Sequence, residues 1–175
     1  MKEILKHLVE KISLPEDSFL DQDEEILEIF IEELEEIFQE LDQLIPQWVA
    51  DSDEQQVLAD VRRHFHTLKG SGRMVGAKSS SELAWTVEEA LNRIIAKTLP
   101  LSADLQRFVQ VVFNVYRFKF YHDFKNTQPH SIDIRPLVLL GQQLQHQQDV
   151  EPALEELLDL AEQLNLSLIH ISEPT

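Results

Sequence analysis

From Asp21 to about Ala50, apolar side chains return every three or four residues: Leu27, Phe30, Leu34, Ile37, Phe38, Leu41, Leu44, Ile45 and Trp48. That spacing is one continuous apolar face on a long α-helix. Residues 21 to 42 carry eleven acidic residues and no basic one, on the opposite face and at the N-terminal end, where carboxylates favour the helix dipole. The ordinary reading of the acids is a solvated face, and an acidic docking surface is the alternative. Pro46 predicts a kink or an end to the helix.

The same period recurs three more times. Asp51-Ser52-Asp53 reads as a turn, with Ser52 or Asp53 as N-cap. The next helix carries Leu58, Val61, Phe65, Leu68 and Val75 and stops at Gly76. Ser79, Ser80 or Ser81 caps a third helix, whose buried stripe is Leu83, Val87, Leu91, Ile94 and Ile95 and which ends at Thr98-Leu99-Pro100. Ser102 starts a fourth, running to about Lys125. No stretch alternates like a strand and no internal repeat is visible. These features predict an all-α fold: an antiparallel four-helix bundle over residues 21–126. An extra short N-terminal helix and linker precede it in residues 1–20, broken at Ser13-Leu14-Pro15.

After the linker Asn126-Thr127-Gln128-Pro129-His130, two C-terminal helices are expected, Ile134 to Gln148 and Pro152 to Leu164. Residues 127–165 either pack on the bundle or begin a further region. The glutamine-rich run from Gln142 to Gln148 points to no chemistry. The last ten residues, 166–175, match the conceptual translation of a transposon-type sequencing adapter and are set aside from fold and function. On that reading the chain is a piece of a longer protein, and Met1 need not be its natural start.

The net charge is −17, which argues against a nucleic-acid partner. The chain has no cysteine, so it holds neither disulfides nor a thiolate metal site, and this fits a reducing cytoplasm. It shows no leader sequence and no run of about 18 apolar residues that would insert in a membrane. Between Asp60 and Glu82 there is no acid at all, while Arg62, Arg63, Lys69, Arg73 and Lys78 all fall there. Such a patch can steer an acidic partner pocket toward it.

The centre of this patch is His64-Phe65-His66-Thr67-Leu68-Lys69-Gly70-Ser71-Gly72-Arg73-Met74-Val75-Gly76. Three of the chain's four glycines lie within seven residues of a helical segment. Each glycine inside a helix costs about 1 kcal/mol relative to alanine, and function is a common reason for such a sacrifice. Helical spacing puts His66 beside Arg62, Arg63, Lys69 and Gly70, with Arg73 a turn further. An imidazole among cations, next to bare backbone, suits a phosphoryl group. It is the nucleophile, Lys69 offsets the phosphoryl charge, and Gly70 leaves room for a partner's active site. Thr67 and Ser71 are candidates to hydrogen-bond the phosphoryl group or the local backbone. Gly72, nearer the buried side, suits close helix packing. Trp85 reads as core, and Glu88 as structural or as orienting a neighbour. A metal pair of His64 and His66 is disfavoured by their two-residue spacing. His7, His122, His130, His146 and His170 have no supporting constellation.

His66-Thr67-Leu68-Lys69-Gly70-Ser71 resembles the His-x-x-Lys-Gly-(Ser/Ala) signature of histidine-phosphotransfer domains. The likeness extends through Gly72-Arg73-Met74-Val75-Gly76-Ala77, into Glu82-Leu83-Ala84-Trp85-Thr86-Val87-Glu88, and on to Asn92-Arg93. This longer pattern is similar to the phosphotransfer domains of chemotaxis-type hybrid histidine kinases, the class that controls type IV pilus twitching motility. The likeness covers roughly residues 21–126. It implies that a histidine kinase catalytic domain phosphorylates His66, at Nε2, and that a response-regulator receiver domain takes the group onto its aspartate. It also implies that the receiver brings the metal, so no cofactor and no metal site are expected here. The chain has no nucleotide-binding loop, so by itself it should not hydrolyse ATP. One rival is a module that docks a receiver without being phosphorylated. Another is a phosphatase or metal-dependent hydrolase, which the lack of a carboxylate or general base near His66 in sequence weakens.

Overall fold

The computed structural model describes residues 3–146 and Asp159, with side chains from Lys6 onward. The expected helix Pro152 to Leu164 and the tail 166–175 lie outside the described residues, Asp159 apart. Among the described residues the chain is helical throughout, with no strand. A short α1 (Glu3–Glu10) precedes a single 3-10 turn (Phe19–Asp21). The long helices α2 (Glu24–Ala50), α3 (Gln55–Val75) and α4 (Lys78–Ile95) follow. α5 (Ala103–Val115), a π-helical turn (Tyr116–Phe120) and α6 (Tyr121–Lys125) form one unbroken rod. α7 (Arg135–His146) closes the described fold. The short connections fold successive long helices back on one another as an all-α bundle. α3 packs between α2 and α4, and the α5–α6 rod packs on α2 and α4.

The expected apolar stripe of α2 faces inward, with Leu27, Phe30, Leu34, Ile37, Leu41, Ile45 and Trp48 buried. Asp23 caps it, its carboxylate accepting the Glu25 N–H at 3.4 Å. The helix does not end at Pro46 but runs to Ala50. An internal proline costs about 3 kcal/mol. Burying Ile45 and Trp48, which flank it, contributes a comparable or larger sum at about 1.5–3 kcal/mol per large side chain.

Two expected helix caps are corrected. Glu54, not Ser52 or Asp53, caps α3, accepting from the Gln56 N–H at 3.4 Å. Ser79, Ser80 and Ser81 do not cap α4; they lie inside its first turn. The carboxylate of Asp17 does that work from the N-terminal segment, accepting from the Ser79 N–H at 2.8 Å and the Ser79 hydroxyl at 2.6 Å. Ser80 and Ser81 donate back to the Ala77 carbonyl. The fourth helix starts at its expected cap, Ser102 accepting the Leu105 N–H at 3.1 Å, and ends at Lys125. Its regular winding is interrupted by the π turn. Tyr116, Phe120 and Phe124, four residues apart, all face the core. There the Tyr116 hydroxyl donates to the Ser80 carbonyl at 2.7 Å.

Gly76 stops α3 as expected, in the left-handed region at φ +86, where a side chain is strained. The Ser18 N–H donates to its carbonyl at 2.8 Å, bracing the α3–α4 turn. α7 lies against α4 and α5, and α1 against α7. A Cβ on Gly141 would collide with Thr86 Cγ2 and sit 2.7 Å from Phe108 Cζ, so the helices meet at backbone distance. Arg93 donates to the Gln145 carbonyl, and the Gln145 amide donates to the Thr86 carbonyl at 3.3 Å. Within the glutamine-rich run, Gln143 and Gln145 are buried.

Candidate functional site

α3 carries His66 on its exposed face because Val61, Phe65 and Leu68 hold the opposite face in the core. The imidazole is 55% exposed. Its Nδ1 lies 2.9 Å from Glu88 Oε2, on α4. Glu88 is the carboxylate that the sequence reading did not find near His66, because it stands 22 residues away in the chain. Its side chain is 3% exposed. Lys69 Nζ meets its other oxygen, Oε1, at 2.7 Å. Arg62 Nη2 stands 3.6 Å from Oε2. Asn92, one turn further along α4, accepts from Arg62 Nε at 2.7 Å.

Burial opposes ionisation of Glu88, but the contacts from Lys69 and His66 outweigh it and hold the carboxyl below its ordinary range. It is therefore a carboxylate at neutral pH, able only to accept hydrogen bonds. The neutral imidazole must then carry its proton on Nδ1 and its lone pair on Nε2. The bond to Glu88 also fixes the ring plane. The outcome is an oriented, exposed imidazole with its lone pair on Nε2.

The other expected residues divide. Lys69 is 13% exposed, with its ammonium both on Glu88 and 4.5 Å from the centre of the Trp85 ring. Trp85 is half-buried beside the site rather than deep in the core. Gly70 lies one turn past His66, and a Cβ there would meet nothing within 4 Å. Gly72 faces α4 instead, where a Cβ would collide with Ser81 Oγ. The Arg63 guanidinium is 3.8 Å from Asp60, and that of Arg73 is 3.6 Å from Glu82. The Thr67 hydroxyl donates to the Arg63 carbonyl at 3.1 Å. Ser71 is half-buried and is not drawn into the Glu88 cluster. The structure therefore gathers His66, Lys69, Arg62, Glu88 and Asn92, and leaves Arg63, Arg73, Thr67 and Ser71 on other partners or apart. Glu88, expected as structural or as orienting a neighbour, does meet His66, and Trp85, Glu88 and Asn92 share one face of α4.

Two other histidines meet carboxylates. His64 is buried against α2, its Nε2 2.6 Å from Glu40 Oε2. Burial and the Arg63 charge lower its pKa, against the opposing pull of Glu40 and Asp60. His130 lies in an aromatic box of Phe19, Phe120 and Phe124, its Nδ1 2.7 Å from Asp123 Oδ2. Among the described residues, no group of three His, Asp or Glu side chains is placed to hold a metal ion. Among them also, no helix is long and apolar enough to cross a membrane.

Compared with known protein families, residues 25–114 match the Hpt domain. No curated protein and no solved structure matches the chain. The matched stretch spans about half of the sequence and holds every member of the Glu88 cluster, from Arg62 on α3 to Asn92 on α4. A bundle with one oriented, exposed imidazole is what transfer of a phosphoryl group through histidine requires of a protein, and the chain belongs to the Hpt domain family, whose modules serve histidine phosphotransfer in phosphorelays.

Proposed function

We propose that His66 Nε2 accepts a phosphoryl group from a histidine kinase catalytic domain and passes it to the aspartate of a response-regulator receiver domain. The observation that carries this reading is the 2.9 Å bond from Nδ1 to a buried carboxylate, beneath an exposed ring. In the first step the Nε2 lone pair forms the N–P bond while the P–O bond to the donor breaks, its electron pair leaving on the donor oxygen. The ring becomes cationic. Glu88 stabilises that charge through Nδ1–H, and the proton stays on the ring. In the second step a receiver carboxylate oxygen attacks phosphorus and the N–P electron pair goes back to Nε2, leaving the neutral ring with its proton on Nδ1. Lys69 keeps Glu88 ionised and offsets phosphoryl charge from the side.

Gly70 gives the partner access to His66, and nothing in the space above it obstructs approach. Met74, a further turn along the same face and 84% exposed, offers an adaptable apolar contact. The acid-free run from Val61 to Ser81 suits an acidic receiver pocket. The extended likeness through Gly72–Ala77, Glu82–Glu88 and Asn92-Arg93 supports a parent of the chemotaxis-type hybrid kinase class that serves twitching motility, working in the cytoplasm. The receiver would bring the metal.

The test is to incubate the protein with a kinase and ATP, or with a phosphorylated receiver, beside the His66→Gln variant. An acid-labile, base-stable adduct on the wild type alone supports the reading. Transfer output that persists in the variant, with no adduct on either, favours a docking module that is not phosphorylated.

A further inference from the structure

The cluster contains one buried carboxylate and two cations, and the cations are held differently. Lys69 spends its charge on Glu88: its ammonium sits 2.7 Å from Oε1, lies over Trp85 and is 13% exposed. To meet a phosphoryl group directly it must leave both partners. Arg62 is tied by its Nε to the side-chain oxygen of Asn92, a neutral group that fixes the guanidinium without cancelling its charge. Its Nη2 is 3.6 Å from Glu88, beyond a normal hydrogen bond, and the side chain is 35% exposed. Arg63 and Arg73 have carboxylates of their own, Asp60 and Glu82. Glu88 brings one negative charge against two cations and lies nearer Lys69 than Arg62, so the surplus positive charge beside His66 falls to Arg62, one helical turn before it on the same face. A guanidinium anchored at Nε still presents its outer N–H donors in the planar fork that matches phosphate oxygens.

Resting on the His66 reading, we propose that Arg62 is the cation that directly contacts the phosphoryl group on His66, and that Asn92 is the positioning residue that aims it. Lys69 then acts through Glu88, by charge balance. Arg62 stabilises the negative oxygens in the transition state and in the phosphohistidine, and Asn92 prevents its long side chain from swinging into solvent. The cation the signature itself points to, Lys69, is thereby assigned the indirect role.

The full chain is labelled with phosphoramidate, a small donor that needs no docking surface, and followed by phosphorus NMR for labelling rate, phosphohistidine lifetime and chemical shift. Arg62→Gln is expected to slow labelling about tenfold and to shorten the lifetime. Arg62→Lys should recover part of both. Asn92→Ala should give a smaller loss of the same kind, and should add nothing to Arg62→Gln in the double variant. Circular dichroism verifies that each variant is folded. Labelling of wild type at His66 with unchanged rate, lifetime and shift in Arg62→Gln overturns this proposal and leaves the phosphotransfer reading standing. So does a large loss in Lys69→Gln beside none in Arg62→Gln. Failure to label His66 in the wild type, by phosphoramidate and by a kinase with ATP alike, overturns both.

Discussion

Glu88→Gln keeps the shape of the buried side chain and removes its charge. In the native site Oε2 pairs with His66 Nδ1 at 2.9 Å, and Oε1 faces the Lys69 ammonium at 2.7 Å. An amide has one oxygen, so its NH2 group must face one of these two donors. Turned toward His66, it forces Nδ1 to accept; the ring proton then moves to Nε2 and the nucleophilic lone pair is lost. Turned toward Lys69, it confronts an ammonium that is largely shielded from water. Hydrogen bonds to charged groups contribute about 1.5–3 kcal/mol each. Loss of one at the transition state slows phosphorylation by about 10- to 150-fold. The same substitution costs about 1–3 kcal/mol of stability, since the Lys69 ammonium loses its counter-ion. The assay is the initial rate of label incorporation from kinase and ATP, with urea melts to score folding and nitrogen-15 NMR to read which ring nitrogen bears the proton. A folded Glu88→Gln protein that labels within twofold of wild type would refute the orienting role. So would a wild-type ring protonated on Nε2 rather than Nδ1.

Gly70 and Gly72 should answer alanine in opposite ways. Gly70→Ala enters open space and is expected to raise stability by up to about 1 kcal/mol in thermal or urea melts, while slowing phosphoryl transfer from a receiver that must close over the site. Gly72→Ala meets Ser81 and is expected to lose about 1–3 kcal/mol in the same melts. Gly141→Ala, against Thr86 and Phe108, should lose a similar amount in those melts. His64 makes stability pH-dependent. The unfolded chain takes up its proton as pH falls through 6.5, and the folded chain only at lower pH, so stability drops across that window. His64→Gln should flatten the drop in urea melts from pH 7.5 to 5. Glu88 acts in a separate, more acid window: its contribution is present above 4.5 and is lost as pH falls through its lowered folded value.

Features set by near neighbours were legible in the sequence. The α2 stripe, the Ser102 cap and the Gly76 stop each follow from residues within a turn or two, and the structure places each where the pattern does. The α4 cap was not legible, because its acceptor, Asp17, lies 62 residues from Ser79. Pro46 was read by its local cost, whereas the burial of Ile45 and Trp48 decides the outcome. The π turn was not legible, because the buried residues Tyr116, Phe120 and Phe124 recur at ordinary helical spacing. At the site, α3 neighbours of His66 were legible by spacing; Glu88 was legible only as a residue that could orient a neighbour and Asn92 only through the family likeness, because the α3–α4 packing alone brings them beside His66 and Arg62. The same holds for His130, whose partner Asp123 and aromatic box are assembled by the turn after α6.

The most direct test of the account is phosphorylation of the chain itself, by kinase with ATP or by a phosphorylated receiver, followed by mapping of the labelled residue. The account predicts an acid-labile, base-stable phosphohistidine at His66, bonded at Nε2 and absent from His66→Gln. Label at another residue, or at Nδ1 of His66, would contradict it.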